Sequence, residues 1–350
     1  MDANSMALGH GRRIGPGQAA LIVAELGQNH NGSLALAEAL VDAAAWAGAD
    51  AVKLVKRDLD SELSREARNR RYESRHAFGA TYGEHRQALE LSADEHRALA
   101  HRARERGLAY LATACDLPSA VLLDSLGVDA FKIASRDLAN VPLLEDVAAR
   151  GRPVFLSTGM SQFDEIDAAV EIVRRAGRPF VLFQCTSLYP TPYEQAHLRS
   201  LETLASRYQA PAGFSDHTVG GLLAPVAVAL GAVAIEKHLT LDRRMKGADH
   251  GCSVEPEELR RLVSDVRQVE AALGRADKPL APGVKDVRAK LGRSLVTRTA
   301  LAAGTRLEAP MLALKCPGDG LSWSDLQTVV GRRLKRELGP DEKLSREDLL

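Results

Sequence analysis

One rhythm recurs along this chain and restricts its fold more than any other feature: a short apolar run, a turn, then a stretch with helical periodicity. The runs are LIVAEL (21–26), AVKL (51–54), LAYLATA (108–114), AFKIAS (130–135), PVFLSTG (153–159), PFVLFQCTS (179–187), AGFSD (212–216) and AVAIEKH (232–238). Helix-like segments such as LALAEALVDAAAWAGA, SADEHRALAHRARERG and FDEIDAAVEIVRRAG lie between them, and PEELRRLVSDVRQVEAALG follows the last. Eight strands alternating with helices in an α/β chain predict a (β/α)8 TIM barrel, with a doubly wound open sheet as the alternative. The polar residues favour the barrel. Glu25, Lys53, Thr113, Lys132 with Ser135, Ser157 with Thr158, Thr186 with Ser187, Ser215 with His217, and Glu236 with His238 all fall at or just past the C-terminal ends of their runs. A closed barrel gathers such positions at one mouth, whereas an open sheet leaves several far from its switch point.

The segment 213–253 carries the densest chemistry. One run ends at Asp216 and is followed by His217, another ends in His238 two residues after Glu236, and a Gly/Ala-rich helical stretch lies between. As neighbouring parallel strands they would bring His217 and His238 out on the same face, where two imidazoles can share one divalent metal. The plainer reading is a satisfied histidine at each strand end. Asp249 and His250 in a Gly-flanked loop just beyond tip the balance toward a site.

Length and charge narrow the function classes. The 350 residues suffice for one large domain and a small one, and Lys+Arg and Asp+Glu are 46 each, so no strongly basic face is imposed. Nucleic acid and membrane are not expected partners. No apolar run spans a bilayer and the leader lacks a signal-peptide core, which predicts a cytoplasmic protein. Cys115, Cys185, Cys252 and Cys316 form no C-x-x-C pair, so neither a disulfide framework nor a thiolate zinc site is indicated.

Two connections exceed the usual loop length. Residues 57–91 form a long polar segment, either a lid over the mouth or a poorly ordered excursion, whose Arg68, Arg70, Arg71 and Arg75 could meet an anion or simply be solvated. The Pro/Gly-punctuated 274–286 reads as a linker. The expected domains are 1–273 for the barrel and 287–350 for a small turn-rich unit, marginal alone and expected to dock on the barrel or on a second subunit.

The motifs AELGQNHNG, the lysine of AVKL, FLSTGM, CTSLYPTPYE, GFSDHTVG, and IEKHLTLD followed by KGADHGCSVEP resemble, in order and spacing, the sialic acid synthase (N-acetylneuraminate synthase) family. The tail resembles the antifreeze-like (SAF) domain that follows the barrel in those enzymes. The resemblance implies condensation of phosphoenolpyruvate with an open-chain aldose, N-acetylmannosamine or a related sugar, to a 2-keto-3-deoxy sugar acid and phosphate. It also implies Mn2+ or Mg2+ and a domain-swapped homodimer. In that setting His217 and His238 hold the metal, Glu25 orients or deprotonates water, and Asp249 is a second candidate for that task. Lys53 and Lys132 supply fixed cations for carboxylate and phosphate; Thr113, Ser135, Ser187 and Ser215 resemble the family's hydroxyl contacts, Asp137 falls in the same substrate-binding turn, and Tyr189 shapes the sugar pocket. Each also has a plain alternative, a snorkelling lysine or a helix-capping hydroxyl.

Three departures from the family pattern concern the acceptor. Leu54 and Val55 follow Lys53 where Phe-Gln is common. Lys315-Cys316-Pro317-Gly318 replaces Lys-Arg-Pro-Gly, and Ser135-Arg136-Asp137 has Arg and Asp where Gly and Glu are usual. An altered aldehyde, not N-acetylated or bearing an anionic group that Arg136 meets, is therefore one expectation; unchanged use of N-acetylmannosamine is the other. A non-catalytic sugar-acid-binding paralogue is the alternative of another class.

Overall fold

The structure, a computed structural model, describes residues 5–9 and 11–350. It divides into two units, Met1–Gly274 and Arg275–Leu350. In the first, a small antiparallel pair, β1 (Met6–Ala7) and β2 (Arg13–Ile14), precedes eight strands. These are β3 (Leu21–Gly27), β4 (Ala51–Lys56), β5 (Ala109–Ala114), β6 (Ala130–Ile133), β7 (Val154–Ser157), β8 (Phe180–Cys185), β9 (Ala212–Asp216) and β10 (Ala234–His238). All pair in parallel and close in the order β10-β3-β4-β5-β6-β7-β8-β9. The architecture is the TIM barrel and not the open sheet.

Side-chain alternation divides each strand between two cores. Ile22, Ala24 and Leu26 of β3, with Val52, Tyr110, Phe131, Leu156, Leu182, Phe214 and Ile235, face outward into the layer shared with the helices. Leu21, Val23, Ala51, Ala109, Leu111, Ala130, Phe155, Val181, Phe183 and Ala234 fill the interior. One step further along the same inner rows the residues become Glu25, Lys53, Thr113, Lys132, Ser157, Ser215, Glu236 and His238. The barrel thus has an apolar floor and a polar mouth.

The N-terminal hairpin closes the floor. Met6, Leu8 and Ile14 of the hairpin are buried against the lower interior residues. Arg12 pairs with Asp50, whose Oδ2 also accepts from Ile22 N at 2.8 Å and from Arg267 Nη2 at 2.8 Å. Three apolar residues in a Gly-rich segment carry too little periodicity to reveal this role.

The outer helices start where their caps dictate. Ser92 and Glu95 form a capping box for Ala93–Glu105, Asp116 caps Leu117–Ser125, and Glu255 with Glu258 caps Pro256–Leu273. No helix among the described residues is long and apolar enough to cross a membrane.

The long segment after β4 is ordered and holds three short helices, Leu59–Glu62, Arg65–Asn69 and Tyr82–Ala88. Arg57 anchors its two ends through Glu62 at 3.4 Å and Glu90 at 2.8 Å. Tyr72, Phe78 and His85 stack within it, with centroids of Tyr72 and His85 4.5 Å apart and those of Phe78 and His85 5.9 Å apart. It fastens to the loop after β10 by a hydrogen bond from Gly247 N to His76 Nδ1 at 3.3 Å and by Lys246 Nζ lying 4.8 Å from the Phe78 ring centroid. The lid reading is the one the structure adopts.

In the second unit, β11 (Ser294–Thr297) pairs antiparallel with β12 (Leu312–Lys315). Leu295, Leu301, Leu307, Leu334, Leu338 and Leu344 are among the residues of its own small core. Residues 274–286 are not a plain linker throughout, because the last of them begin the helix Val284–Leu291.

Candidate active site

The mouth opens into a cavity of about 320 Å³ that the inner polar residues, the lid and the loop after β10 enclose. Its floor is an ion-pair network. Lys53 Nζ lies 2.7 Å from Glu25 Oε2 and 3.8 Å from Glu236 Oε1, and donates to Thr113 Oγ1 at 3.0 Å. Lys132 Nζ lies 2.6 Å from Glu236 Oε2, and Ser215 Oγ donates to Glu236 Oε1 at 3.0 Å. Four buried charges need this pairing, since an unpartnered ion costs several kcal/mol to desolvate.

The two carboxylates are driven apart in acidity. Burial pushes Glu25 up to about 7, against the pull of Lys53, while Glu236, held by Lys132 and Lys53, stays below the usual carboxylate range despite its burial. Burial lowers Lys132; Lys53 is raised, because Glu236 and Glu25 outweigh its burial.

The imidazoles stand at the ends of β9 and β10, ring centroids 5.4 Å apart. Burial lowers the pKa of both, so both are neutral near pH 7. His217 commits Nδ1–H to the carbonyl of Thr186 at 2.8 Å, which leaves Nε2 as an acceptor. His238 Nδ1 is buried without a hydrogen-bond partner among the described residues, and Asp249 Oδ2 is 4.0 Å away. Tyr189 packs on both rings, at 4.2 Å from His217 and 5.7 Å from His238. Gly27, at φ 48°, keeps this corner open: a Cβ there would lie 3.0 Å from Glu25 Oε1, 3.5 Å from His238 Cε1 and 3.6 Å from Asp249 Oδ2. Two neutral, oriented imidazoles, one with an orphaned nitrogen, suit a divalent cation. Among the described residues no three His, Cys, Asp or Glu side chains form a complete metal cluster, so any remaining ligands would come from water or substrate.

Residues 40–278 match the NeuB family and residues 292–350 the SAF domain. Similar proteins include the N-acetylneuraminate-9-phosphate synthase of Homo sapiens, 38% identical, with 96% of this chain and 94% of the relative covered. Another is the N,N'-diacetyllegionaminic acid synthase of Legionella pneumophila, 37% identical, with 93% of each covered. The chain belongs to the NeuB family. A solved N-acetylneuraminic acid (sialic acid) synthetase from Leptospira borgpetersenii, in complex with citrate, superposes with a TM-score of 0.72 at 35% identity, covering 81% of this chain and 95% of that one.

Within this NeuB-family enzyme, Glu25, Lys53, Thr113, Lys132, Ser135, Ser187, Tyr189, Ser215, His217, His238 and Asp249 all line the one cavity. Asp137 does not. It sits in a 3-10 turn behind the wall, 3.3 Å from Arg136 Nε, because the turn Ser135–Asp137 presents Ser135 and Arg136 to the cavity. His250 also turns away, its Nδ1 2.7 Å from Thr240 Oγ1. Of the lid arginines singled out in the sequence, Arg68 pairs with Asp60 and Arg71 lies 3.1 Å from exposed Glu73; none of the four lines the cavity. Arg57 and Arg86 do, and so does Glu236. Glu236 was legible as the inner-face residue two before His238; the arginines were not, since only the folded lid separates them from their neighbours. Cys316 lies in the second unit against the Arg293 guanidinium.

Proposed function

We propose that this protein condenses phosphoenolpyruvate with an open-chain aldose, giving a 2-keto-3-deoxy sugar acid and inorganic phosphate, with Mn2+ or Mg2+ at His217 and His238. The observation that carries the reading is a neutral imidazole pair sharing one cavity with paired lysines and carboxylates. The family membership and the named synthases among its relatives support it.

When bound, the cation supplies Lewis acidity toward the aldehyde oxygen. Lys53 and Lys132 meet the carboxylate and phosphate of phosphoenolpyruvate, and the hydroxyls of Thr113, Ser135, Ser187 and Ser215 complete its anion contacts. Glu236 stays ionised, so it holds both ammonium groups aligned without neutralising them by proton transfer. Carbon 3 of the enol bonds to the aldehyde carbon as the carbonyl π pair moves onto the aldehyde oxygen, which takes up a proton to become a hydroxyl, leaving electron deficiency at carbon 2, where water adds. Glu25, poised near neutrality, takes the proton of that water. The tetrahedral carbon then breaks its C–O bond to phosphate while its hydroxyl proton passes to the departing phosphate, and it becomes the ketone. Asp249, on the far side of Gly27, orients the aldose hydroxyls, and Tyr189 walls the sugar pocket. We place the enzyme in the cytoplasm as a homodimer whose small domains are exchanged between subunits; analytical ultracentrifugation of the full chain reads the dimer directly.

The test is phosphate release with phosphoenolpyruvate, Mn2+ and a panel of aldoses. Release that requires both an aldose and the metal, and that stops with chelator, is the expected result. Release that is independent of aldose would overturn the reading in favour of a phosphatase.

A further inference from the structure

Five cationic side chains line the cavity, and four of them already have carboxylate partners. Lys53 has Glu25, Lys132 has Glu236, and Arg57 has Glu62 and Glu90. Arg136, whose unusual presence suggested an anion contact, is spoken for as well: Nη2 lies 2.9 Å from Glu62 Oε1 and Nε 3.3 Å from Asp137 Oδ2. Arg86 is the exception among the described residues. No carboxylate stands within ion-pair distance of it. Its guanidinium is held by neutral acceptors alone, Gln28 Oε1 at 2.7 Å and the Tyr82 hydroxyl at 2.8 and 2.5 Å, with the Tyr82 ring centroid at 4.9 Å. A guanidinium oriented at three nitrogens, half-buried at a cavity wall and held by neutral acceptors alone, with the Asp249 carboxylate of the same cavity feeling its charge only from beyond ion-pair distance, is arranged to receive an anion from outside the chain.

Its place in the ring separates it from most of the other anion contacts, Lys53 on the adjacent β4 being the near one and already held by Glu25 at 2.7 Å. Arg86 rides on the lid helix Tyr82–Ala88 and bonds to Gln28, just beyond β3. Lys132 ends β6, Ser157 ends β7, and Ser187 follows β8, across the barrel from β3. A small molecule that spans Lys53, Lys132 and the serines lies along the β4 to β9 side of the ring and leaves Arg86, above β3 on the lid, to a second molecule. Resting on the synthase reading, we propose that Arg86 selects an acceptor aldose bearing an anionic group, phosphate or carboxylate, which docks under the lid beside Gln28.

The experiment compares kcat/KM, with phosphoenolpyruvate and Mn2+ saturating, for N-acetylmannosamine, its 6-phosphate and a uronic acid. The expected result is a preference of at least about tenfold for an anionic aldose, the faster of the two naming the group. Arg86→Gln should collapse that preference and raise KM for the anionic aldose, while KM for phosphoenolpyruvate moves less than about twofold; Arg86→Lys should restore part of it. If Arg86→Gln melts early, Gln28→Leu, which strips the guanidinium of its Nη1 partner, should raise the same KM. A neutral aldose preferred by the wild type, or a KM rise confined to phosphoenolpyruvate in Arg86→Gln, would overturn the assignment and leave the synthase reading standing. No phosphate release with any aldose would overturn both.

Discussion

Glu236 and Lys237 are consecutive residues of β10, and each belongs to a buried ion pair, but the pairs face opposite sides of the barrel wall. Outside, Lys237 Nζ donates to Asp216 Oδ2 at 3.0 Å and to the Thr218 carbonyl at 2.5 Å, and Asp216 Oδ1 accepts from the Thr218 amide and hydroxyl at 2.8 and 2.7 Å. Both side chains are 0% exposed. Inside, Glu236, Lys132, Lys53 and Glu25 are equally tightly paired but open onto a cavity. Burial of charge is therefore a poor marker of chemistry by itself. The sealed pair spends its valences on protein and fixes the turn that carries His217. The open network faces a cavity, where its lysines can be reached by an anion.

Substitutions on the two sides should separate activity from stability. The largest effect is expected inside: Glu25→Gln should lower kcat by about 10²- to 10⁴-fold in the phosphate-release assay, and, because Lys53 keeps Glu236 at 3.8 Å and Thr113 at 3.0 Å, should cost less unfolding free energy than breaking the sealed pair. Outside, Lys237→Met should leave Asp216 buried and unpaired and lower unfolding free energy by about 3 to 5 kcal/mol in urea titration, whereas Lys237→Met with Asp216→Leu should recover most of that loss. A Lys237→Met variant as stable as wild type would erase the contrast. Thr218→Val, which deletes one hydrogen bond to the sealed carboxylate, should cost about 1.5 to 3 kcal/mol in the same titration. Smallest is the pH response. With Glu25 raised to about 7 and needed as its conjugate base, kcat should fall roughly tenfold between pH 8 and pH 6, and Glu25→Gln should flatten that limb.

The barrel was legible because its signal is repeated eight times, so errors of a residue or two at strand ends, as at Ser135 or Ser187, leave the count intact. The mouth was legible for a related reason: period-two alternation places Glu25, Lys53, Lys132, Ser215 and His238 on one rim once the strands are known. Three things were not. The floor hairpin has only Met6, Leu8 and Ile14 to announce it. Asp137 fell beside the true rim residue, and one position in a 3-10 turn reverses the facing. Arg86 sits among many arginines in a polar segment, and charge counts cannot tell a solvated guanidinium from one lacking a counter-ion; only tertiary packing of the lid does.

The hairpin below the barrel has a practical corollary. Because Met6, Leu8 and Ile14 stopper the end remote from the chemistry and Arg12 latches them to Asp50, the scaffold's integrity is rooted where no substrate reaches. Engineers retuning sugar choice can vary the exposed lid positions away from Arg57 and the Tyr72, Phe78 and His85 stack, but a bulky fusion partner that pries this cork loose would let water into the staves from beneath.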